Sequence, residues 1–296
     1  MTTSQVLPVS RAAAGASAEP RGTGPGWQAE LELGFQVVAG RSALVRNRHH
    51  GPLAVQRAFY PESPDLAHVY LLHPPGGIVA GDELTVRARV EHGARALLTT
   101  PAATKFYKSE GRVAVSRQLL SLAEGASLEW LPQETIVFGS AQVRTETRVE
   151  LAPGATFFGW DIVCLGRAAS GDYFSSGRLQ QAFEIWQGER PLWIERADFD
   201  ATAAVRHAAW GLGGRRVFGT FVCTGRSPVA VAEARAAVDT DEKRELFAVS
   251  QMRSVIVCRY LGDSTERARQ VFARAWSALR PRLLGRPACA PRIWLT

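Results

Sequence analysis

The chain has 296 residues, of which 46% are hydrophobic and 21% charged, with a formal net charge of +7. That apolar content suffices for a buried core, and no run of about 18 uncharged apolar residues exists to cross a membrane as a helix. The positive charge does not make a nucleic-acid binder, because only three of the 35 basic residues are lysines and the arginines are scattered, interleaved with glutamates, and unaccompanied by a zinc-finger or helix-turn-helix pattern.

Residues 1–26 are rich in Ala, Gly, Ser and Pro and carry no hydrophobic period, which predicts a disordered tail with no apolar leader segment. Residues 27–296 are read as one domain. From Trp27 the dominant period is two. Leu84, Val86, Ala88 and Val90 alternate with Thr85, Arg87 and Arg89. Val143, Thr145, Thr147, Val149 and Leu151 alternate with Arg144, Glu146, Arg148 and Glu150. Each run is a strand with one apolar and one solvated face. Similar runs lie near 29–38, 112–120, 182–187, 216–223 and 253–261. An apolar residue, two variable residues and Gly-Ala recur at Val90–Ala94, Leu122–Ala126 and Leu151–Ala155, placing the turn glycines 32 and 29 residues apart. Strand–turn–strand units of that period predict stacked, solenoid-like β-coils. Helices are expected only toward the C-terminus: one over about 229–238, and one opened by Asp263 and Glu266 as a capping box and stopped by Pro281.

No catalytic pattern emerges. Gly76 and Gly81 have phosphate-loop spacing, but Asp82 stands where the loop needs lysine. Gly211–Arg216 does not meet the dinucleotide fingerprint. No nucleophile elbow or H-E-x-x-H helix is present. The cysteines (Cys164, Cys223, Cys258, Cys289) form no C-x-x-C pair, and adjacent His49 and His50 point to opposite faces of a strand. A reduced, cytoplasmic chain without a tight metal site is expected. Phe59-Tyr60, Phe106-Tyr107, Trp130, Trp160 and Trp186 are read as filling between sheets.

Several segments, in order, resemble the UreD (UreH) family of urease accessory proteins. They are Gly26-Trp27, Gly51-Pro52-Leu53, Phe59-Tyr60-Pro61, His73–Asp82, Thr99–Ser109, Glu129–Glu134, Gly159-Trp160-Asp161, Leu165-Gly166-Arg167, Gly171–Phe174, Arg280-Pro281 and Pro291–Trp294. Ala80 departs from the glycine common in relatives. The resemblance implies a mostly-β, non-catalytic scaffold that binds apo-urease, recruits UreF and through it the GTPase UreG, and lets Ni²⁺ pass toward the urease site with no tightly bound cofactor. Nickel binds imidazole and thiolate readily and carboxylate more weakly, so a passage that must release its ion favours isolated oxygen donors. Asp82, Thr104, Glu134, Asp161, Asp172 and Glu195, in or beside the matching segments, are the candidates. Thr100, Pro132 and Asp161 each lie seven residues past a turn glycine, which would align them in one column. Lys105–Ser109 and Pro291–Thr296 are candidate partner surfaces. The competing reading is a carbohydrate-binding or hydrolytic module on a β-solenoid frame.

Overall fold

In the computed structural model of the chain, residues 26–109, 111–238 and 245–295 are described; the tail expected over 1–26 lies, Gly26 apart, outside them. The chain opens with β1 (Gln28–Val38), β2 (Arg41–His50), β3 (Ala54–Phe59) and β4 (Ala67–Leu72). The repeated coils follow: β5 (Glu83–Val90), β6 (Arg95–Thr99) and β7 (Thr104–Phe106); then β8 (Ala114–Leu122), β9 (Ser127–Trp130) and β10 (Thr135–Val137). Next come β11 (Gln142–Leu151), β12 (Thr156–Leu165), β13 (Arg178–Gln187), β14 (Arg190–Asp200) and β15 (Val217–Thr224). Helix α1 (Pro228–Ala236), strands β16 (Leu246–Met252) and β17 (Val255–Gly262), and helix α2 (Thr265–Leu284) complete the order.

Two sheets face each other. The first runs β14-β13-β11-β8-β5-β1-β2, and the second β16-β17-β15-β12-β9-β6-β4-β3 with β7 and β10 attached. At the centre the pairing is parallel in both: β5, β8, β11 and β13 in the first sheet, β4, β6, β9 and β12 in the second. That is the expected solenoid. Antiparallel strands close both ends.

The Gly-Ala turns show why the sequence repeats. Gly93, Gly125 and Gly154 all have positive φ (66°, 67° and 77°), a conformation that only glycine adopts without strain. Each turn is closed identically, by Ala94 N–H to the Glu91 carbonyl, Ala126 to Ala123 and Ala155 to Ala152. The turns then stack, with Ser127 N–H donating to Ala94 O at 3.0 Å and Thr156 to Ala126 O at 2.9 Å. An alanine Cβ at Gly125 has room, 3.9 Å from the Gly93 nitrogen. Gly125→Ala therefore costs only the left-handed strain of about 1–2 kcal/mol, to be read from denaturant unfolding; an unchanged midpoint would contradict this account of the turn.

Along β11 the burial alternates strictly, with Val143, Thr145, Thr147, Val149 and Leu151 buried between the sheets. The outward face of this sheet carries a lattice of ion pairs: Arg87–Glu30 at 2.7 Å, Arg117 between Glu83 (3.0 Å) and Glu146 (3.1 Å), and Arg178–Asp198 at 2.8 Å. Many of the scattered arginines are thus engaged within the chain. Trp186 belongs to this outer face, beneath Arg148 at 5.0 Å, rather than between the sheets. Trp160 also departs from expectation. It packs in a second core, behind the second sheet, against Phe221, Phe272 and Trp294.

That second core is roofed by α1 and α2. The N-cap of α2 is Ser264, whose hydroxyl accepts from Arg267 N–H, not Asp263, which lies 3.6 Å from Arg216. The helix runs past Pro281 and ends at Gly285 in the left-handed conformation (φ 70°). A proline so near the end costs little, since one backbone bond is lost where few remain. Beneath α2 lies a buried ionic knot. Arg280, fully buried, donates to Glu129 (2.9 Å) and Glu62 (2.7 Å) and to the Pro287 carbonyl. Trp276 Nε1 donates to Glu129 at 2.6 Å, and His68 Nε2 lies 2.8 Å from Glu62. The C-terminal segment is anchored to the second core: Trp294 packs 5.8 Å from Trp276 and its Nε1 donates to Thr99, while Arg292 stays exposed.

Candidate functional site

The second sheet has a break. β6 stops at Thr99 and the strand direction resumes in β7 at Thr104; β9 stops at Trp130 and resumes in β10 at Thr135. β12 runs through unbroken, paired to β9 at Thr156–Gly159 and to β10 at Thr135–Val137 through its own Val163–Leu165. Asp161 sits in β12 at the level of the break. Behind the break lies an interior cavity of about 90 Å³, room for several waters.

The wall of this cavity changes character along the solenoid axis. Toward the first coil it is mostly apolar, with Leu53, Leu71, Leu72, Ile78, Leu84 and Val86, and His73 as the one imidazole among them. Toward the later coils the inward positions of β8 and β11 are polar: Ser116 and Gln118, then Thr145 and Thr147. These stand in register, Ser116 opposite Thr145 and Gln118 opposite Thr147, and Gln181 follows opposite Thr145. Gln118 donates to Ser116 at 2.8 Å and accepts from Thr147 at 3.1 Å, whereas the buried Thr145 hydroxyl finds no partner. Across the cavity, Gln181 Nε2 donates to Asp161 Oδ2 at 2.6 Å. Among the described residues Asp161 is the one carboxylate on the wall. Burial, reinforced by Glu195 and opposed by the Gln181 hydrogen bond, raises its pKa to about 6. A lone acid in such a place prefers a proton or a cation to an empty charge.

The six candidates divide. Asp161 and Thr104 line the cavity, as do Thr100 and Pro132 of the same column. Glu134 is adjacent in sequence to the cavity-lining Thr135, but strand alternation turns its side chain outward, where it lies 3.4 Å from Arg269 on α2. Asp82 is consumed locally, its two oxygens accepting from the Trp27 and Val79 amides at 2.9 Å. Asp172 caps a turn through the Gly139 and Phe174 amides. Glu195 pairs with Arg259 at 2.7 Å. Sequence reasoning missed the polar wall. Its only trace was hydroxylic or amide residues at successive inward positions of strands otherwise filled by Val and Leu.

Among the described residues no group of three His, Cys, Asp or Glu is placed to hold a metal ion, and no helix is long and apolar enough to span a membrane. The cysteines are free, and burial pushes the Cys164 thiol up to about 11. Fold and cavity together define a β-solenoid-like protein with a partly polar cavity in its apolar interior and a helical cover on one sheet. Comparison with known sequences narrows that class. The family model for "UreD urease accessory protein" matches residues 28–295. A urease accessory protein UreD from Dechloromonas aromatica is 45% identical over 92% of this chain and 96% of its own length. One from Brucella anthropi, UreD 2, is 44% identical over 92% and 99%, and one from Marinobacter nauticus 45% over 91% and 93%. The chain belongs to the UreD family of urease accessory proteins.

Proposed function

We propose that this chain serves urease maturation as a non-catalytic scaffold that binds apo-urease, recruits UreF and through it UreG, and carries Ni²⁺ through the cavity between its sheets. Family membership supports the urease part. The conduit part rests on one observation: a single carboxylate, Asp161, set in a polar interior wall at a break in the sheet. Carboxylate, amide and hydroxyl oxygens hold Ni²⁺ loosely, which suits an ion that must leave again. Nickel is cargo here, held in passing by the oxygen donors of the cavity wall. Asp161→Ala is expected to reduce urease activation severalfold with complex formation unchanged, while Asp82→Ala and Glu195→Ala, which alter a turn and a surface ion pair, leave activation near normal. Nickel content of urease after co-expression measures this. Full nickel loading with the Asp161 variant would eliminate the conduit.

A further inference from the structure

We infer that Arg269 gates the cavity, holding Gln133 closed across the partition between the interior and a groove under α2. The inference deepens the conduit reading and rests on it. Pro132 and Gln133 line both the interior cavity and an outer groove of about 330 Å³ whose other walls include Trp160, Glu266, Arg269 and Trp294. Of these two partition residues, Pro132 is a fixed frame, its carbonyl accepting from Trp160 Nε1 at 2.7 Å. Gln133 is anchored by its backbone, whose N–H donates to Thr100 Oγ1 at 2.9 Å. Its side chain is nearly buried, and its carbonyl oxygen accepts from Arg269 Nη1. The partition therefore moves if Arg269 moves.

Arg269 is not locked as Arg280 is. Its Nε lies 3.4 Å from Glu134 Oε2, yet neither of these buried atoms makes a hydrogen bond. A guanidinium gains most when its fork meets a carboxylate squarely, and here it does not. Glu266 lies one turn earlier on α2 and lines the same groove, the spacing at which helical ion pairs form. In the closed state Arg269 pins Gln133 and places a positive charge at the mouth, which repels an approaching cation. When it turns to Glu266, the Gln133 carboxamide is released and Glu134, its Oε1 held only weakly by the Thr265 hydroxyl at 3.4 Å, can meet the cation on the way to Asp161. Glu134 thereby acquires a place in the passage from the outside.

Cation access to the interior tests this without nickel or urease. In the full chain carrying Cys164→Ala and Cys289→Ala, a Thr145→Cys thiol reports arrival of Ag⁺ at the cavity wall; the thiol remaining after timed exposure is counted by maleimide labelling of the unfolded protein, above the background of the buried Cys223 and Cys258 read from the parent without the Thr145 change. Arg269→Gln is expected to speed its loss about tenfold, the rate equivalent of one charge-assisted hydrogen bond. Glu266→Gln is expected to slow it, a change that mere loosening of the fold would not produce. Equal rates in all three proteins, or a thiol that Ag⁺ never reaches, would overturn the gate. The two readings fail separately: unchanged Ag⁺ access alongside lost activation in Asp161→Ala removes the gate and leaves the conduit.

Discussion

Arg280→Ala is expected to lower the thermal midpoint by on the order of 10 °C, the consequence of removing the guanidinium shared by two buried carboxylates at a cost of about 3–5 kcal/mol in a domain of this size. Glu129 and Glu62 are almost wholly enclosed and share one guanidinium, with Arg286 a further 3.7 Å neighbour of Glu62. The knot spans the molecule, joining β9, the loop before β4, the second half of α2 and the segment after it. Charge removal, not lost packing, is the main term. The double variant Glu129→Gln/Arg280→Met should therefore recover part of the loss, since an amide still accepts from Trp276 and one of the two buried carboxylates is gone. Glu62 sharpens the pH profile. Burial pushes its pKa up, but the hydrogen bonds from His68 and Arg280 outweigh that and hold it below the ordinary 4.5. A depressed carboxylate contributes stability above its unfolded pKa and loses it as the pH falls through the folded value. Wild type should accordingly lose stability in acid below about pH 4.5, a decline that the Arg280 variant no longer shows to the same extent. A midpoint shift of only a degree or two in Arg280→Ala would refute the role of the knot.

Asp161→Asn is expected to have the opposite sign and the opposite pH dependence. The carboxyl titrates at about 6 in the fold against 3.8 as a free side chain. Between those values the folded state binds more protons than the unfolded one, so stability declines as pH rises across the window and stays lowered above it. Asparagine carries no charge to desolvate and still accepts the Gln181 hydrogen bond. The variant should be more stable than wild type by about 1–3 kcal/mol at pH 8 and equal to it near pH 4. Urea unfolding at the two pH values measures both. Equal stabilities at pH 8 would mean that Asp161 is solvated well enough to carry its charge without penalty. On the proposed function the same energetics favour capture of a cation, which relieves the buried charge, and release where a proton competes. A residue that destabilises its own fold at neutral pH is a usual signature of a site kept for function.

The solenoid was legible because its cause is local. A positive-φ turn admits glycine at one position, and each coil must supply that glycine again, so Gly93, Gly125 and Gly154 print the coil length into the chain. Inward positions alternate with outward ones for the same reason, a strand period of two. The column of Thr100, Pro132 and Asp161 followed from counting along that repeat, and all three line one cavity. The helix ends were less secure. Asp263 and Ser264 are both capping residues by type, and only the side-chain geometry selects Ser264.

Composition, turn spacing and alternation by themselves determined a mostly-β chain of stacked coils with late helices, and the ordered segments shared with urease accessory proteins identified its family. The tertiary structure alone decided which acids face inward. Asp82 and Asp172 are drawn to nearby amides, Glu195 to Arg259, and Glu134 to a helix more than a hundred residues away. It also decided that Glu129 and Arg280, 151 residues apart, share a buried site. Periodicity is set by neighbours along the backbone, whereas a charge answers to whatever the fold brings within a few ångströms, and that distance is not written in sequence separation.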